Sequence, residues 1–176
     1  MMVSVEPDAG GRLVAGGAEA ALAEVYRTHY GKLVGLARLL VDQREQAEEV
    51  VQDAFMRTYA ARDRLRGDPL AYVRQAVVNE SRSALRRRRT IRGSHLQAVS
   101  DGVSAEAHVI HDERLREVSA AVRVLPPRQR ECVVLRYYED CSTAQTAAAL
   151  GISEGSVKAN LHRALAALGV ALEEER

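Results

Sequence analysis

"STAQTAAALGISEGSVKANLHRAL", Ser142 to Leu165, is the stretch on which the fold turns. Ser142 followed by Gln145 has the spacing of a capping box, so it predicts a short helix that begins there and runs through Leu150. Gly151 supplies the residue that a tight turn with positive φ requires. Ser153 can cap the next helix, in which Val157, Leu161, Ala164 and Leu168 recur at steps of four, three and four. Ala147 is small where two helices must cross closely, and Ile152 and Val157 are apolar where they must pack. Two short helices joined at a glycine turn form the helix-turn-helix that presents its second helix to the major groove of duplex DNA. On that second helix Ser156, Lys158, Asn160, His162 and Arg163 offer donors to base edges and phosphates, and Glu154 is the lone acid at its start.

Upstream, the chain reads as helical throughout, with no sustained alternation of period two. A first helix is predicted over about Ala18 to Val41, with Leu22, Tyr26, Tyr30, Leu33, Ala37 and Leu40 on one face. Asp42 and Glu45 resemble a capping box for a second helix, whose Ala47, Val50, Val51, Ala54, Phe55 and Thr58 form a buried stripe. Asp68-Pro69 gives a cap and a first-turn proline for a third helix running towards Arg89. Between Thr90 and His108 the periodicity fades into a stretch rich in Gly, Ser and Ala, which reads as a linker. It returns at Val109, Leu115, Val118 and Val122, and "LPPRQR" breaks the chain before a helix carrying Cys132, Val133, Leu135 and Arg136. The expected fold is all-α, two small helical domains joined by a flexible linker. The divisions are 1–17 as a disordered extension, 18–90 and 109–172 as domains, and 91–108 as the linker.

The 176 residues carry a formal net charge of only +1, but the charge is segregated. From Asp42 to Asp53 five acids face one arginine, a net of −4. From Arg57 to Arg92 eleven arginines face Asp63, Asp68 and Glu80, a net of +8. Such asymmetry implies two surfaces for two partners, one of them polyanionic. On the third helix Tyr72, Gln75, Asn79, Arg82 and Arg86 share a face, opposite Val73, Ala76, Val77 and Ala84. A ring that can stack a base, two amides and a row of arginines suit single-stranded or unpaired nucleic acid better than a plain phosphate clamp.

Other classes find little support. There is no apolar run long enough to span a bilayer and no hydrophobic signal core, which makes a cytoplasmic location the expectation. Cys132 and Cys141 read as ordinary thiols of a reducing compartment, with a metal or disulfide switch as the alternative. The histidines His29, His95, His108, His111 and His162 are scattered. No paired carboxylates, Gly-rich phosphate loop or Ser/Cys-His arrangement points to catalysis, so neither catalytic residues, metal nor cofactor is expected.

A duplex-DNA module behind a strand-capturing surface resembles a sigma factor, specifically the small extracytoplasmic-function (ECF, group 4) type of the sigma-70 family. "EVYRTHYGKLVGLARLL" is similar to that family's region 2.1, and "QAEEVVQDAFMRTY" to region 2.2. "DPLAYVRQAVVNESRSALRRRR" is similar to regions 2.3 and 2.4. The segment from "LPPRQR" through "HRAL" is similar to region 4. The ordered run of all four, covering nearly everything after Ala18, carries the match. "YYED" and "QTA" resemble the SigE-like branch common in actinobacteria.

The resemblance implies an initiation subunit that performs no chemistry. It implies that Glu48, Glu49, Gln52, Asp53 and Phe55 grip the β′ clamp helices of core RNA polymerase, with a further contact on the β flap. It implies that Tyr72, Gln75, Asn79, Arg82, Arg86 and Arg87 melt and read the −10 element, Asn79 lying beside the pocket for a flipped base. The loop from Asp63 to Pro69 takes the place of the family's specificity loop. Ser156, Lys158, Ala159, Asn160, His162 and Arg163 fall where the family contacts the −35 duplex. Ala159-Asn160 stands where serine-arginine is usual, and Cys141 where an aliphatic residue or glycine is. An anti-sigma factor, which can hold such a subunit at the membrane, is also implied. Nineteen linker residues at about 3.3 Å each reach about 60 Å, comparable to some eighteen base pairs at about 3.4 Å each. The competing reading is a helix-turn-helix regulator that acts without polymerase; it leaves the acidic helix and the basic face of the third helix without a purpose.

Overall fold

The computed structural model describes residues 15–41, 44–94 and 113–174. Three helices form the first unit: α1 (Ala15–Leu40), α2 (Arg44–Ala60) and α3 (Pro69–Ser94). They pack on one another through the stripes their spacing predicts: Leu22, Leu33, Ala37 and Leu40 from α1, Ala47, Val50, Val51, Ala54 and Thr58 from α2, and Val73, Val77 and Ala84 from α3 are all buried. Phe55 and Ala76 pack against this core from its rim. Glu80, a buried carboxylate of α3, is tied to Arg57 of α2 at 2.8 Å.

Two local signals set the entry to α3. The Leu70 amide donates to Asp68 Oδ1 at 2.9 Å, so Asp68 caps the helix, and Pro69 fills the first turn where no amide donor is needed. Before it, a 3₁₀ turn (Arg62–Arg64) brings Leu65 down into the core, and Gly67 turns the chain back at φ +79°. Helix α3 continues to Ser94, beyond the Arg89 towards which the sequence pattern runs. The Asp42 cap and the linker from His95 to His108 lie outside the described residues.

The second unit contains α4 (Glu113–Val124), α5 (Pro127–Val133), α6 (Thr143–Leu150) and α7 (Glu154–Glu174). Sequence periodicity places Cys132, Val133, Leu135 and Arg136 on one α-helix, but the helix changes character at Val134. From Val134 to Tyr138 it is π-helical, and the Glu139 amide donates to the Val134 carbonyl at 3.1 Å. One extra residue in the turn buries both Val134 and Leu135 and rotates Tyr138 and Glu139 towards α1 and α3. Asp140 then takes a left-handed conformation, φ +54°, which a short polar side chain tolerates, and the chain enters α6.

Around Gly151 the local chemistry is as the sequence spacing predicts. Ser142 Oγ accepts from the Gln145 amide at 3.1 Å and the Gln145 side chain accepts from the Ser142 amide at 2.7 Å. Gly151 sits at φ +64°, where the Ile152 amide reaches back to the Ala147 carbonyl at 3.1 Å. Ser142→Ala should remove one half of this box and lower stability by about 1 kcal/mol, with Ser142→Thr recovering most of it. Chemical denaturation followed by circular dichroism measures it; equal midpoints for wild type and Ser142→Ala would show that the box is ornamental.

The two units do not stand apart. Helix α1 touches α4, α5 and the π turn, α3 lies against α6, and the buried apolar residues of both units join in one cluster.

Candidate nucleic-acid interface

Helix α3 carries the basic face in the order its spacing predicts, and the structure gives each member a different environment. Tyr72 is half-buried, and its hydroxyl accepts from the Arg66 amide at 3.2 Å, tying the preceding loop to the helix. Gln75 is half-buried and Asn79 exposed. Asn79 Oδ1 lies 3.3 Å from Arg82 Nη1, and the Asn79 carbonyl accepts from Ser83 Oγ at 3.0 Å. Arg86 and Arg87 are exposed, with Arg86 Nη2 donating to Ser83 Oγ at 3.0 Å.

Arg82 is the member whose surroundings sequence reasoning did not foresee. Its guanidinium forms a two-pronged pair with Glu131 of α5, at 2.6 Å from Nε and 2.7 Å from Nη2. That hydrogen-bonded carboxylate raises the Arg82 pKa above its ordinary value, against the opposing effect of burial. Arg128 reaches the same carboxylate at 3.0 Å. Arg74, a residue the sequence pattern does not single out, pairs with Glu139 at 2.6 Å, and the two side chains are 14% and 1% exposed. Beside Arg74 lies a cleft of about 280 Å³, with Arg66, Asp68, Tyr72 and Gln75 on the α3 side and Cys141, Gln145, Ala148 and Ala149 on the other.

On α7 the exposed surface is the one the pattern predicts. Ser156, Lys158, Ala159, His162 and Arg163 are exposed, whereas Val157 and Ala164 are buried. Asn160 is half-buried, and its amide nitrogen donates to the Ser156 carbonyl at 2.8 Å, which turns it along the helix. Ser153 Oγ accepts from the Ser156 amide at 3.1 Å, so the helix starts where the cap was expected.

Helix α2 offers a third surface. Glu49 and Gln52 are exposed, and Glu48, Asp53 and Phe55 are half-buried. Tyr26, which the periodicity of α1 puts on the inward face, is instead 45% exposed. It stacks against Tyr30 at 4.8 Å and edge-on to Phe55 at 5.0 Å, an arrangement aromatic quadrupoles favour. Met56 beside them is 69% exposed, so the acidic face has an apolar and aromatic edge.

Both cysteines are buried free thiols. Burial pushes the Cys132 thiol up to about 11 and raises that of Cys141, so both stay protonated at neutral pH and are weak nucleophiles. Among the described residues no group of three or more His, Cys, Asp or Glu could hold a metal ion, and no helix is long and apolar enough to cross a membrane.

A helical chain with an arginine-rich helix in one unit and a helix-turn-helix in the other defines a class of bipartite DNA-binding protein. Its particular family follows from three comparisons. Residues 25–91 match the family Sigma-70 region 2, and residues 115–168 match Sigma-70, region 4. The chain is 38% identical over 152 residues to the RNA polymerase sigma-E factor of Streptomyces avermitilis, covering 85% of this chain and 84% of the relative. It is 34% identical over 171 residues to the ECF RNA polymerase sigma factor SigL of Mycobacterium tuberculosis, covering 91% and 94%. The solved structure of CnrH in complex with the cytosolic domain of CnrY superposes with a TM-score of 0.68 at 25% identity, over 92% of this chain and 94% of that one. The chain belongs to the ECF sigma factors, the polymerase-associated subunits that direct promoter-specific initiation.

Proposed function

We propose that this sigma factor captures core RNA polymerase through α2, melts and reads the −10 element through α3, and docks on −35 duplex through α7. The observation that carries the reading is the division of character among surfaces: an acidic, aromatic-edged α2, an arginine-rich α3, and an α7 whose exposed Lys158, His162 and Arg163 follow its capped start. Three surfaces of different character fit three targets. Arginine forks suit phosphates, and exposed amides suit the edges of an unpaired base. A capped recognition helix suits a major groove.

No covalent step is needed. Arginines displace counterions from DNA, and flipping a base trades stacking of a few kcal/mol for contacts in a protein pocket. The subunit acts in the cytoplasm and is restrained by an anti-sigma factor. A regulator acting without polymerase would have no use for region 2, which the chain matches over residues 25–91.

Run-off transcription tests the assignment. The purified chain added to core polymerase should yield discrete start sites that core alone does not, and the absence of any start site across a genomic library would overturn it. Within that assay, Lys158→Ala and Arg163→Ala should each weaken −35 binding. A residue that reads a base should show a loss of about 1–3 kcal/mol confined to one position. A residue on a phosphate should show a uniform loss instead. Full activity of both variants on every −35 sequence would place the reading surface elsewhere.

A further inference from the structure

Resting on the assignment of α7 to the −35 duplex, we infer that Ala159 sets a sequence preference of this helix by packing its methyl on the 5-methyl of one thymine, and that Asn160 beside it reads no base. The resemblance places both residues in the −35 contact set, but their surroundings differ. Val157 and Ala164 are fully buried and Leu161 is half-buried, which fixes the inward side of α7. At about 3.6 residues per turn, Ala159 stands almost opposite that side, in the second turn of the helix, and is exposed. The first turns of a recognition helix are the part that meets base edges.

The polar side chains nearest to Ala159 are committed to the helix itself. Ser156 Oγ lies 2.9 Å from Ser153 Oγ, within the cap. Asn160 comes one turn from both Val157 and Ala164, so it sits at the edge of the inward side and is half-buried. Its amide nitrogen donates to the Ser156 carbonyl at 2.8 Å, which lays the side chain back along the helix instead of extending it outwards. His162 and Arg163, three and four residues after Ala159, are exposed on either side of it and reach past its single methyl. One turn before it stands Gly155, also exposed, where a Cβ would have only Ser153 Oγ near it, at 3.9 Å. The fold therefore does not require a glycine there, and alanine is the better helix former. Gly155 and Ala159 keep the centre of the face low, which suits close approach of the backbone to base edges.

The chemistry at that centre is apolar. The 5-methyl of thymine is the one apolar group that a base pair shows in the major groove, and alanine is among the side chains that pack on it. Cytosine presents an amino donor and no methyl, so it finds no partner in Ala159.

Removing single methyl groups from the DNA tests the inference. Holoenzyme is reconstituted from the full chain and core polymerase, and its affinity is measured on the promoter that run-off transcription maps. Each thymine of the −35 duplex, on either strand, is replaced in turn by deoxyuridine, which deletes the methyl and leaves every hydrogen-bonding group in place. One replacement is expected to weaken wild type about fourfold, the worth of one buried methyl. Ala159→Gly should bind the unmodified promoter less tightly and be indifferent to deoxyuridine at that same position. This indifference is a comparison within one protein, so a less stable helix cannot produce it. Asn160→Ala should keep the wild-type order of base preferences at every −35 position. A −35 element without a methyl-dependent position would overturn the inference. So would a deoxyuridine penalty that survives in Ala159→Gly, or a preference that Asn160→Ala relaxes. A chain that starts no transcripts with core overturns the proposed function and this inference with it, whereas discrete start sites without a methyl-dependent position overturn only the reading by Ala159.

Discussion

Reversing the charge of Glu49 and Asp53 together, to lysine, is expected to weaken capture by core RNA polymerase by about 100-fold or more. The two residues lie one turn apart on α2, Glu49 exposed and Asp53 half-buried. Met56, 69% exposed, lies one turn beyond Asp53 on the same side of α2. A basic partner surface that meets this face loses two attractions and gains two repulsions. Like charges brought together across an interface cost several kcal/mol, and about 2.7 kcal/mol already corresponds to the stated factor. The fold should not suffer. Ala47, Val50, Val51 and Ala54 carry the buried side of α2 and are untouched, and a lysine at position 49 lies one turn after Glu45, a favourable spacing. Co-purification with core, beside a thermal melt followed by circular dichroism, separates loss of contact from loss of structure. Undiminished co-purification of the double variant would remove α2 from the polymerase interface.

The same residues show what a sequence makes legible. Short-range chemistry was readable because cause and effect lie within one turn. Ser142 and Gln145 cap each other, Asp68 caps α3, and Gly151 adopts the left-handed turn that its lack of a side chain permits. The inward faces were readable because burial imposes a period of 3.6 on apolar residues, and Val73, Val77 and Val157 are accordingly buried. The contacts between the two units were not readable. Arg82 and Glu131 are separated by 49 positions, Arg74 and Glu139 by 65. An exposed-looking arginine carries no mark of which distant glutamate it will meet. The π turn left no signature either, since "VLRYY" suits an α-helix by composition and the extra residue appears only when Leu135 and Val134 are both drawn into the core. Tyr26 deceived in the opposite direction. Its spacing is that of a core residue, but a large ring with a polar tip can remain at the rim and meet Phe55 edge-on. Gly35 reads as an ordinary helical glycine until Tyr138 is seen above it.

Asn79→Ala is expected to separate base recognition from strand holding. Asn79 is exposed at the middle of α3, with its Oδ1 close to the Arg82 guanidinium and Gln75 one turn before it. An amide of this kind can pair with the edge of one unstacked base, so its loss should be felt at one −10 position and not at others. With core polymerase present, binding to core and to −35 duplex should be unchanged. Open-complex formation should fall by about 1–3 kcal/mol when the preferred base occupies that position, and little when another base does. Arg86→Ala and Arg87→Ala should behave differently. Both side chains are exposed beyond Asn79 at the basic end of the helix, where a phosphate rather than a base is the natural partner. Each should lower affinity for every −10 sequence alike and reduce the salt slope of binding by about one unit per lost contact. Permanganate footprinting of promoter variants at several salt concentrations reads both signatures at once. An equal loss from Asn79→Ala across all −10 variants would make the asparagine a strand contact like the arginines. No loss at all would move the base pocket to the loop between Asp63 and Pro69, where Leu65 is anchored in the core and Arg64 and Arg66 are exposed.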